Sequence, residues 1–445
     1  MSNIDYMAIA DRLAADIVSG RMRQGERLKP QRIFAYEAGI AVSTASRVYS
    51  ELIRRGLVVG EVGRGTYVRS GAPPLATPLV EPTAAPVDLE LIFPVLPEHT
   101  GLLAESLGAL CGSPGFVEAL RPVGAAGTPK ARQDAAQFLT RPGWEPDPEG
   151  ILFAGNGRQA IAGVFSALAK PGDRIGVEAL TYPVAKGVAQ RLGISLVPIE
   201  MDGEGMRPEA LAAAHATTPL SAVYLQPSLH SPTGVTMSPA RRQAMADVIS
   251  RLGIPAIEDG VYAFLVDDPP LVSLLPDQII LIDSMSKRLA PGLTLGLVAA
   301  PRGLSSRVAN ALRSGAWSPA GLPLAAAITW MKDTRMAKII AAKRADAQLR
   351  QRLARAALQP MEVNGDPRAY HLWLPLPETW RAEGFVAEAL RQGIALTPGS
   401  AFAVTSGHAP NGVRLALAAP APADLVEAVR RLRSLIETGP QAAAE

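Results

Sequence analysis

Hydrophobic positions near the start of the chain follow first a helical period and then an extended one. Apolar residues fall on one helical face over 6–19, over 30–38 and over 44–55, and each stretch is followed by a glycine. Two short apolar segments, 57–59 and 66–68, then flank a glycine-rich turn and are typical of strands. The pattern predicts three helices and a two-stranded wing, which together form a winged helix-turn-helix.

The pattern changes after residue 149, where short and wholly apolar segments alternate with helical ones. The predicted strands are 151–154, 174–178, 222–226, 254–258 and 279–283. Apolar strands joined by helical crossovers indicate a mostly parallel sheet that is buried on both faces. A ligand site is expected at the carboxyl ends of such strands.

A Pro- and Ala-rich segment separates these two parts. Residues 71–87 show neither helical nor strand periodicity, and this composition is typical of a semi-extended linker. The predicted organisation is a head over 1–70, a linker over 71–87, a body over 88–435 and a tail over 436–445.

Composition narrows the class of protein. Hydrophobic residues make up 48% of the 445 residues and charged residues 19%, which is a globular composition. A single cysteine, Cys111, excludes a disulfide within the chain and favours a reducing compartment. The start of the chain lacks the features of a signal peptide, and no apolar run reaches the length of a membrane span. We therefore expect a cytoplasmic protein without a membrane partner.

The positive charge of the chain is concentrated in the head. Residues 1–70 contain eleven Lys or Arg against seven Asp or Glu, whereas the whole chain has a net charge of only +3. The third predicted helix begins with Ser43 as N-cap and offers Thr44, Ser46 and Arg47 in its first turns. Such a helix N-terminus can enter a major groove, bind phosphates and reach base edges with Arg47.

Two further parts of the head are expected to contact DNA. Arg64 and Gly65 lie at the wing tip, where an arginine suits a narrow minor groove, and Arg32 is placed to contact the backbone. The head resembles the GntR-type winged helix, which implies binding to double-stranded DNA. The segments that carry this resemblance are 25–32 (GERLKPQR), 42–49 (VSTASRVY) and 63–68 (GRGTYV). A winged helix that binds protein instead of DNA is the alternative.

Candidate chemistry in the body centres on Lys287, which directly follows a buried strand. A lysine amine that is partly desolvated has a lowered pKa and becomes nucleophilic toward an aldehyde. Asp259, at another strand end, is suited to hold a protonated pyridine nitrogen. Tyr262, three residues further on, is placed to hydrogen-bond a phenolic oxygen of the same ring.

Other residues of the body fit the remaining parts of such a cofactor. Ser284 and Ser286 can donate hydroxyls to a phosphate, and Gly157, Arg158 and Gln159 open a helix whose N–H groups suit an anion.

The ring and the substrate each have a further candidate partner. Tyr182 is a candidate to stack on the ring, and Arg414 can bind a carboxylate as a bidentate fork. Taken singly, each of these side chains also has an ordinary structural interpretation, such as a surface lysine, a loop cap, a core tyrosine or an ion pair. Their order and spacing favour a site.

Together these residues resemble a fold-type-I aminotransferase over 88–435. The motifs are 230–234 (HSPTG), 259–262 (DGVY) and 284–292 (SMSKRLAPG). The resemblance implies an α/β fold with a large, mostly parallel sheet domain and a small C-terminal α+β domain. It implies pyridoxal 5'-phosphate bound as a Schiff base to Lys287, with Asp259, Tyr262, Tyr182, Ser231 and Ser284 around it and Arg414 on a substrate carboxylate. A GntR head joined to this body resembles the MocR subgroup of regulators, which implies head-to-tail homodimers.

Three positions depart from the aminotransferase pattern. Ser231 replaces an asparagine, Thr294 replaces the arginine that pairs with the phosphate, and Pro122 replaces a tyrosine that reaches the partner subunit's phosphate. Loss of a charge-assisted contact of this kind costs about 1.5–3 kcal/mol. Arg288 and Arg158 are candidate substitutes. Weakened phosphate binding favours a ligand sensor over an efficient catalyst.

Three functions therefore fit the sequence. The favoured one is a DNA-binding transcription regulator whose body binds pyridoxal phosphate, and also an amino-acid or amine effector. The alternatives are an active aminotransferase, and a cofactor-free scaffold for dimerisation. No metal site is expected.

Overall fold

The computed structural model describes residues 6–18, 21–23, 26–54, 57–61, 65–68, 85–96, 99–405 and 409–440. The chain divides into two compact units, Met1–Val80 and Glu81–Glu445. This boundary falls within the segment 71–87, of which 71–84 lie outside the described residues.

The first unit has the element order of a winged helix-turn-helix. Its helices are α1 (Tyr6–Val18), α2 (Gln31–Glu37) and α3 (Val42–Arg54), and its strands are β1 (Val58–Glu61) and β2 (Gly65–Val68). The two strands pair antiparallel, with Val58 opposite Val68. The core of this unit is formed by the buried face of α3 against α1 and the chain before α2. Its fully buried members include Ala10, Leu28, Ala45, Val48 and Leu52.

Helix α3 begins two residues earlier than the sequence pattern predicts. The Ala45 N–H donates to the carbonyl of Ala41, so helical hydrogen bonding already starts there. The prediction that Ser43 is the N-cap is therefore wrong, because Ser43 lies inside the first turn. Ala41 has no side-chain oxygen with which to cap the helix.

The second unit contains thirteen helices and fourteen strands within its described residues. The helices are α4 (Thr100–Cys111), α5 (Gly115–Ala119), α6 (Pro129–Leu139), α7 (Gly157–Leu168), α8 (Pro183–Arg191), α9 (Pro208–Thr217), α10 (Pro239–Leu252), α11 (Met285–Arg288), α12 (Arg302–Ser314), α13 (Gly321–Lys332), α14 (Arg335–Leu358), α15 (Ala382–Arg391) and α16 (Pro422–Thr438). The strands are β3 (Val87–Asp88), β4 (Ile151–Ala154), β5 (Arg174–Glu178), β6 (Ser195–Ile199), β7 (Met201–Asp202), β8 (Gly205–Met206), β9 (Ala222–Leu225), β10 (Ala256–Asp259), β11 (Ile279–Ser284), β12 (Gly296–Ala299), β13 (His371–Pro375), β14 (Ile394–Ala395), β15 (Thr397–Pro398) and β16 (Gly412–Ala416).

Seven of these strands form the large sheet, in the order β4-β12-β11-β10-β9-β5-β6. Only β12 runs antiparallel to its neighbours, so the predicted mostly parallel sheet is confirmed. Side chains from the two faces of the sheet enter two separate hydrophobic clusters, which explains why whole strands are apolar. The carboxyl ends of β9, β10 and β11 meet at one edge, where Gln226, Asp259 and Ser284 lie.

A smaller α+β part completes the second unit. Strands β13, β16 and β15 form an antiparallel sheet, and β3 pairs parallel with β14. Val87, predicted to be the last residue of the linker, is thus part of this domain. Helix α16 continues to Thr438, so the tail predicted from residue 436 begins three residues too early.

None of the helices in the described part of the chain combines the length and apolar character that are needed to cross a bilayer.

Candidate functional site

A cavity of about 270 Å³ opens at the carboxyl edge of the large sheet. The residues predicted from the sequence that line it are Gly157, Arg158, Tyr182, Ser231, Asp259, Tyr262, Ser284, Ser286 and Lys287. Gln159 and Arg414 are not among the described residues that line it. Most of the predicted polar groups therefore converge on one site. Gln159 and Arg414 do not, because their N–H groups donate to other parts of the protein.

Lys287 lies on α11, the short helix that directly follows β11. Its Nζ donates to the carbonyl of Ile92 (2.6 Å) and lies 3.5 Å from the ring centroid of Phe93. Burial holds the pKa of Lys287 well below its usual value, and the cationic Arg414 and Arg158 lower that pKa further. The neutral amine is therefore favoured, as the sequence predicts for a nucleophile.

Asp259, the last residue of β10, is 3% exposed and accepts three hydrogen bonds. Its Oδ2 accepts from the Tyr224 hydroxyl (2.5 Å) and the Gln226 amide (3.1 Å), and its Oδ1 accepts from the Val261 N–H (3.1 Å). Burial raises the pKa of Asp259, whereas these donors act in the opposite direction. Tyr224 and Gln226 thus orient the carboxylate, and the motifs in the sequence did not identify either as its partner.

The two tyrosines of the cavity are both buried phenols. Burial raises the pKa of Tyr182, and the guanidinium of Arg158 beside it opposes that rise. Burial also raises the pKa of Tyr262, whose ring centroid lies 5.4 Å from that of His371. Both hydroxyls remain protonated at neutral pH and are available as hydrogen-bond donors.

Three hydroxyls cluster beside the start of α7. Ser284 Oγ lies 3.0 Å from Ser286 Oγ, and Ser286 also hydrogen-bonds Thr294. Gly157 approaches them closely, since a Cβ on this residue would lie 3.1 Å from the Cβ of Ser284. The Gln159 N–H is already used, because it donates to Asn156 Oδ1 (2.9 Å). The anion-binding role predicted for Gln159 therefore does not fit, and Asn156 is the N-cap that the sequence interpretation missed.

Of the two arginines considered as substitutes at Thr294, the structure brings only Arg158 to the cavity. Arg288 is buried in an ion pair with Asp283, and its guanidinium lies 4.9 Å from the ring centroid of Phe138 and 5.5 Å from that of Phe264. Together with Lys287, Arg158 makes up the basic lining of the cavity within the described residues. Pro122 is exposed and does not line the cavity.

Arg414, on β16, is buried and held by the protein itself. Its Nη2 donates to the Glu90 carbonyl and to Thr397 Oγ1 (3.2 Å), and its Nη1 donates to Ser231 Oγ (3.3 Å). The guanidinium predicted to bind a substrate carboxylate is thus occupied in this conformation, with only Nε lacking a hydrogen-bond partner.

Residues 87–93, here called the strap, contact both basic groups. The Leu89 N–H donates to the Ala395 carbonyl, and the Leu89 carbonyl accepts from the Ala416 N–H. The carbonyls of Glu90 and Ile92 accept from Arg414 and Lys287 respectively. The strap therefore connects the small sheet to the amine of Lys287.

In the first unit, the predicted DNA contacts lie mainly on α3. Ser43 and Arg47 are exposed, and Thr44 and Ser46 are half-buried. The Arg47 guanidinium lies 5.8 Å from the ring centroid of Tyr6.

The remaining predicted DNA contacts lie on α2 and at the wing. Arg32, on α2, is exposed. Gly65 adopts φ +119°, and a Cβ there would lie 2.8 Å from Arg27 Nε. Arg64 lies outside the described residues.

Two family descriptions match the chain. Residues 5–68 match "Bacterial regulatory proteins, gntR family", and residues 121–432 match "Aminotransferase class I and II". The chain belongs to the GntR family of regulators. Since an aminotransferase domain follows the GntR domain, this regulator falls in the MocR subgroup, as predicted, and the family implies DNA binding.

Relatives of this GntR-family regulator match it over about nine-tenths of both chains, so the match includes both the head and the body. The uncharacterized HTH-type transcriptional regulator YdeF of Bacillus subtilis is 32% identical, with 93% of this chain and 90% of YdeF covered. The vitamin B6 salvage pathway transcriptional repressor PtsJ of Salmonella typhimurium is 26% identical, with coverages of 92% and 93%. The regulatory role predicted from the sequence is therefore confirmed.

The fold of the second unit is that of solved aminotransferases. LysN, the α-aminoadipate aminotransferase of Thermus thermophilus, superimposes with a TM-score of 0.73 at 22% identity, with 79% of this chain and 92% of LysN covered. Within the described residues, no group of three or more His, Cys, Asp or Glu is arranged to hold a metal ion.

Proposed function

We propose that this GntR-family protein is a cytoplasmic transcription regulator whose second unit binds pyridoxal phosphate through a Schiff base to Lys287. The observation that carries the proposal is the buried amine of Lys287 in one cavity with the oriented carboxylate of Asp259. The effector is an amino acid or amine, and the protein acts on double-stranded DNA as a head-to-tail homodimer.

The chemistry of the donor set fits pyridoxal phosphate. Asp259 is an anionic partner for a pyridinium nitrogen, and the hydroxyls of Ser284, Ser286 and Thr294, with Arg158, are donors for a phosphate. When bound, the cofactor supplies an aldehyde that condenses with an amine and a ring that withdraws electrons. The LysN structure was solved with N-(5'-phosphopyridoxyl)-L-leucine, and the name of PtsJ refers to vitamin B6 salvage, which supports this choice.

Different residues of this chain have different roles at the site. Lys287 offers a neutral amine because burial disfavours its charged form. Tyr224 and Gln226 hold the Asp259 carboxylate in place by donating to its Oδ2. Tyr182 and Tyr262 supply aromatic faces and protonated hydroxyls.

The strap links this site, along the chain, to the segment that joins the second unit to the head. Lys287 and Arg414 both donate to strap carbonyls, so a ligand that engages either group competes directly with the strap. In the sequence, the strap directly follows the segment 71–86, which in turn follows the head. A ligand at Lys287 therefore changes the contacts of the chain closest to that segment, which is the coupling that a regulator needs.

Phe93→Ala tests whether the strap shields the amine. Loss of the ring lets water reach Nζ and also removes the attraction of the ring face for the ammonium form. Because burial is the largest cause of the shift, the pKa of Lys287 should rise toward its usual value. The pH at which Schiff-base formation reaches half its maximum should then move up by about one unit. Absorbance titrations with pyridoxal phosphate across pH measure this midpoint. Val95→Ala, at an exposed residue just beyond the strap, should leave it unchanged. An unshifted midpoint in Phe93→Ala would mean that the strap does not control the amine.

Arg47→Ala tests the regulatory proposal at the head. Loss of a base contact costs about 1–3 kcal/mol, so affinity for the operator should fall about 5- to 150-fold. The operator can be located by footprinting the DNA upstream of the protein's own coding region, and affinities measured by gel shift at fixed salt. Arg12→Ala removes an equal charge from α1 and serves as control. Equal losses in the two variants would show that Arg47 contributes only general charge.

A further inference from the structure

Lys343 is a buried lysine that lies outside the cavity and outside every motif in the sequence. It is on α14, with 1% of its surface exposed. Its Nζ donates to two backbone carbonyls, those of Lys287 (3.0 Å) and Leu289 (2.6 Å). A buried ammonium is costly unless it is hydrogen-bonded. Here its partners are the backbone of the segment that carries the reactive amine.

These bonds act at one end of helix α11. The last carbonyls of a helix have no partner within it, and a cation at that end is favourable. At the other end, Ser284 Oγ accepts from the Ser286 N–H (3.2 Å). Helix α11 is therefore held at its start by Ser284 and at its end by Lys343.

The Lys287 amine also responds to charges on four neighbouring elements. After burial, which is the largest cause, Arg414 on β16, Arg158 on α7 and Lys343 on α14 lower its pKa. Asp259 on β10 acts in the opposite direction. Lys343 is the one of these three cations that also hydrogen-bonds the backbone of Lys287.

The contacts of Lys343 fit a structural role and not a reactive one. Burial lowers the pKa of Lys343 to about 7, and Asp346 opposes this shift. The Tyr370 hydroxyl lies 2.8 Å from the Lys343 carbonyl oxygen and 2.9 Å from Asp346 Oδ2. Both ends of this lysine are therefore fixed, and its Nζ faces carbonyls instead of the cavity.

We propose that Lys343 is a positioning residue for Lys287, which fixes the turn that carries the reactive amine by donating to the carbonyls of residues 287 and 289. This rests on the proposed function, since a neutral and fixed amine matters only if Lys287 attacks an aldehyde. In that step the nitrogen lone pair bonds to the carbonyl carbon. Both amine hydrogens leave with the aldehyde oxygen as water, and a C=N bond remains.

The test measures the Lys287 amine in the full chain without cofactor. Acetic anhydride labels neutral amines, so the labelled fraction of Lys287 can be quantified by peptide mass spectrometry across pH. The pH at which labelling reaches half its maximum is the midpoint for this amine. Lys343→Met should raise that midpoint, because a buried cation close to the amine is lost. The same variant should bind pyridoxal phosphate about tenfold more weakly, because the turn is no longer held. Lys338→Met, at an exposed lysine on the same helix, should change neither value.

A second variant separates the effect of the charge from the effect of the hydrogen bonds. It also keeps the proposal testable if Lys343→Met does not fold. Lys343→Gln keeps a donor without the charge, so it should raise the Lys287 midpoint while retaining more affinity for pyridoxal phosphate than Lys343→Met. An unchanged midpoint in a folded Met or Gln variant overturns the positioning role. If the unaltered chain forms no Schiff base with pyridoxal phosphate, the proposed function fails, and the labelling midpoints still decide the role of Lys343.

Discussion

Lys287→Ala is expected to abolish the visible absorbance that pyridoxal phosphate gains when it forms a Schiff base with the chain. No other described lysine lines the cavity, and the nearby Lys343 is held by the carbonyls of residues 287 and 289. The loss should therefore be complete at any cofactor concentration that saturates the unaltered chain. The measurement is an absorbance titration at neutral pH.

A control variant and a second measurement show whether the loss of absorbance is specific to the Lys287 amine. Lys170→Ala removes an exposed lysine and should leave the titration unchanged. Calorimetry on Lys287→Ala should still detect weak binding, since Asp259 and the hydroxyl cluster remain. A full absorbance change in Lys287→Ala would show that the cofactor reacts with another amine.

Arg158→Ala is expected to weaken the binding of pyridoxal phosphate by about 10- to 150-fold. The reason is the loss of a charge-assisted contact to phosphate, worth about 1.5–3 kcal/mol. Thr294 supplies no positive charge, and Arg288 is paired with Asp283, so no described cation of the cavity replaces Arg158. Calorimetric titrations of both proteins with pyridoxal phosphate measure the difference.

Pyridoxal without its phosphate provides the matched control for Arg158→Ala. If Arg158 acts on the phosphate, the variant should bind pyridoxal nearly as well as the unaltered chain does. Equal losses for both ligands would assign Arg158 to the ring region, beside Tyr182, and leave the phosphate to the hydroxyls.

The sequence predicts the fold well because burial of both sheet faces makes whole strands apolar. Strands 151–154 and 174–178 have the predicted bounds, and the strand predicted from 254 begins at Ala256. Pro255 explains the difference, since it has no N–H for the ladder. Helix α3 starts early for a similar local reason, because Ala41 already accepts the first helical hydrogen bond.

The candidate site is only partly predictable, because its partners are far apart in the chain. Lys287 and Ile92 are separated by 195 residues, and Arg414 and Glu90 by 324. Motifs identify residues of the right type at strand ends, but they do not show that the Arg414 guanidinium is already occupied. Lys343 carries no local signal at all, since a lysine within a charged helix is usually exposed.

The most direct measurement reduces the complex of the full chain and pyridoxal phosphate with borohydride and locates the trapped group by peptide mass spectrometry. Reduction fixes a Schiff base to the lysine that formed it. We predict a single phosphopyridoxyl group on Lys287, at close to one per chain. An unmodified Lys287, with label absent or spread over exposed lysines, would contradict the central claim.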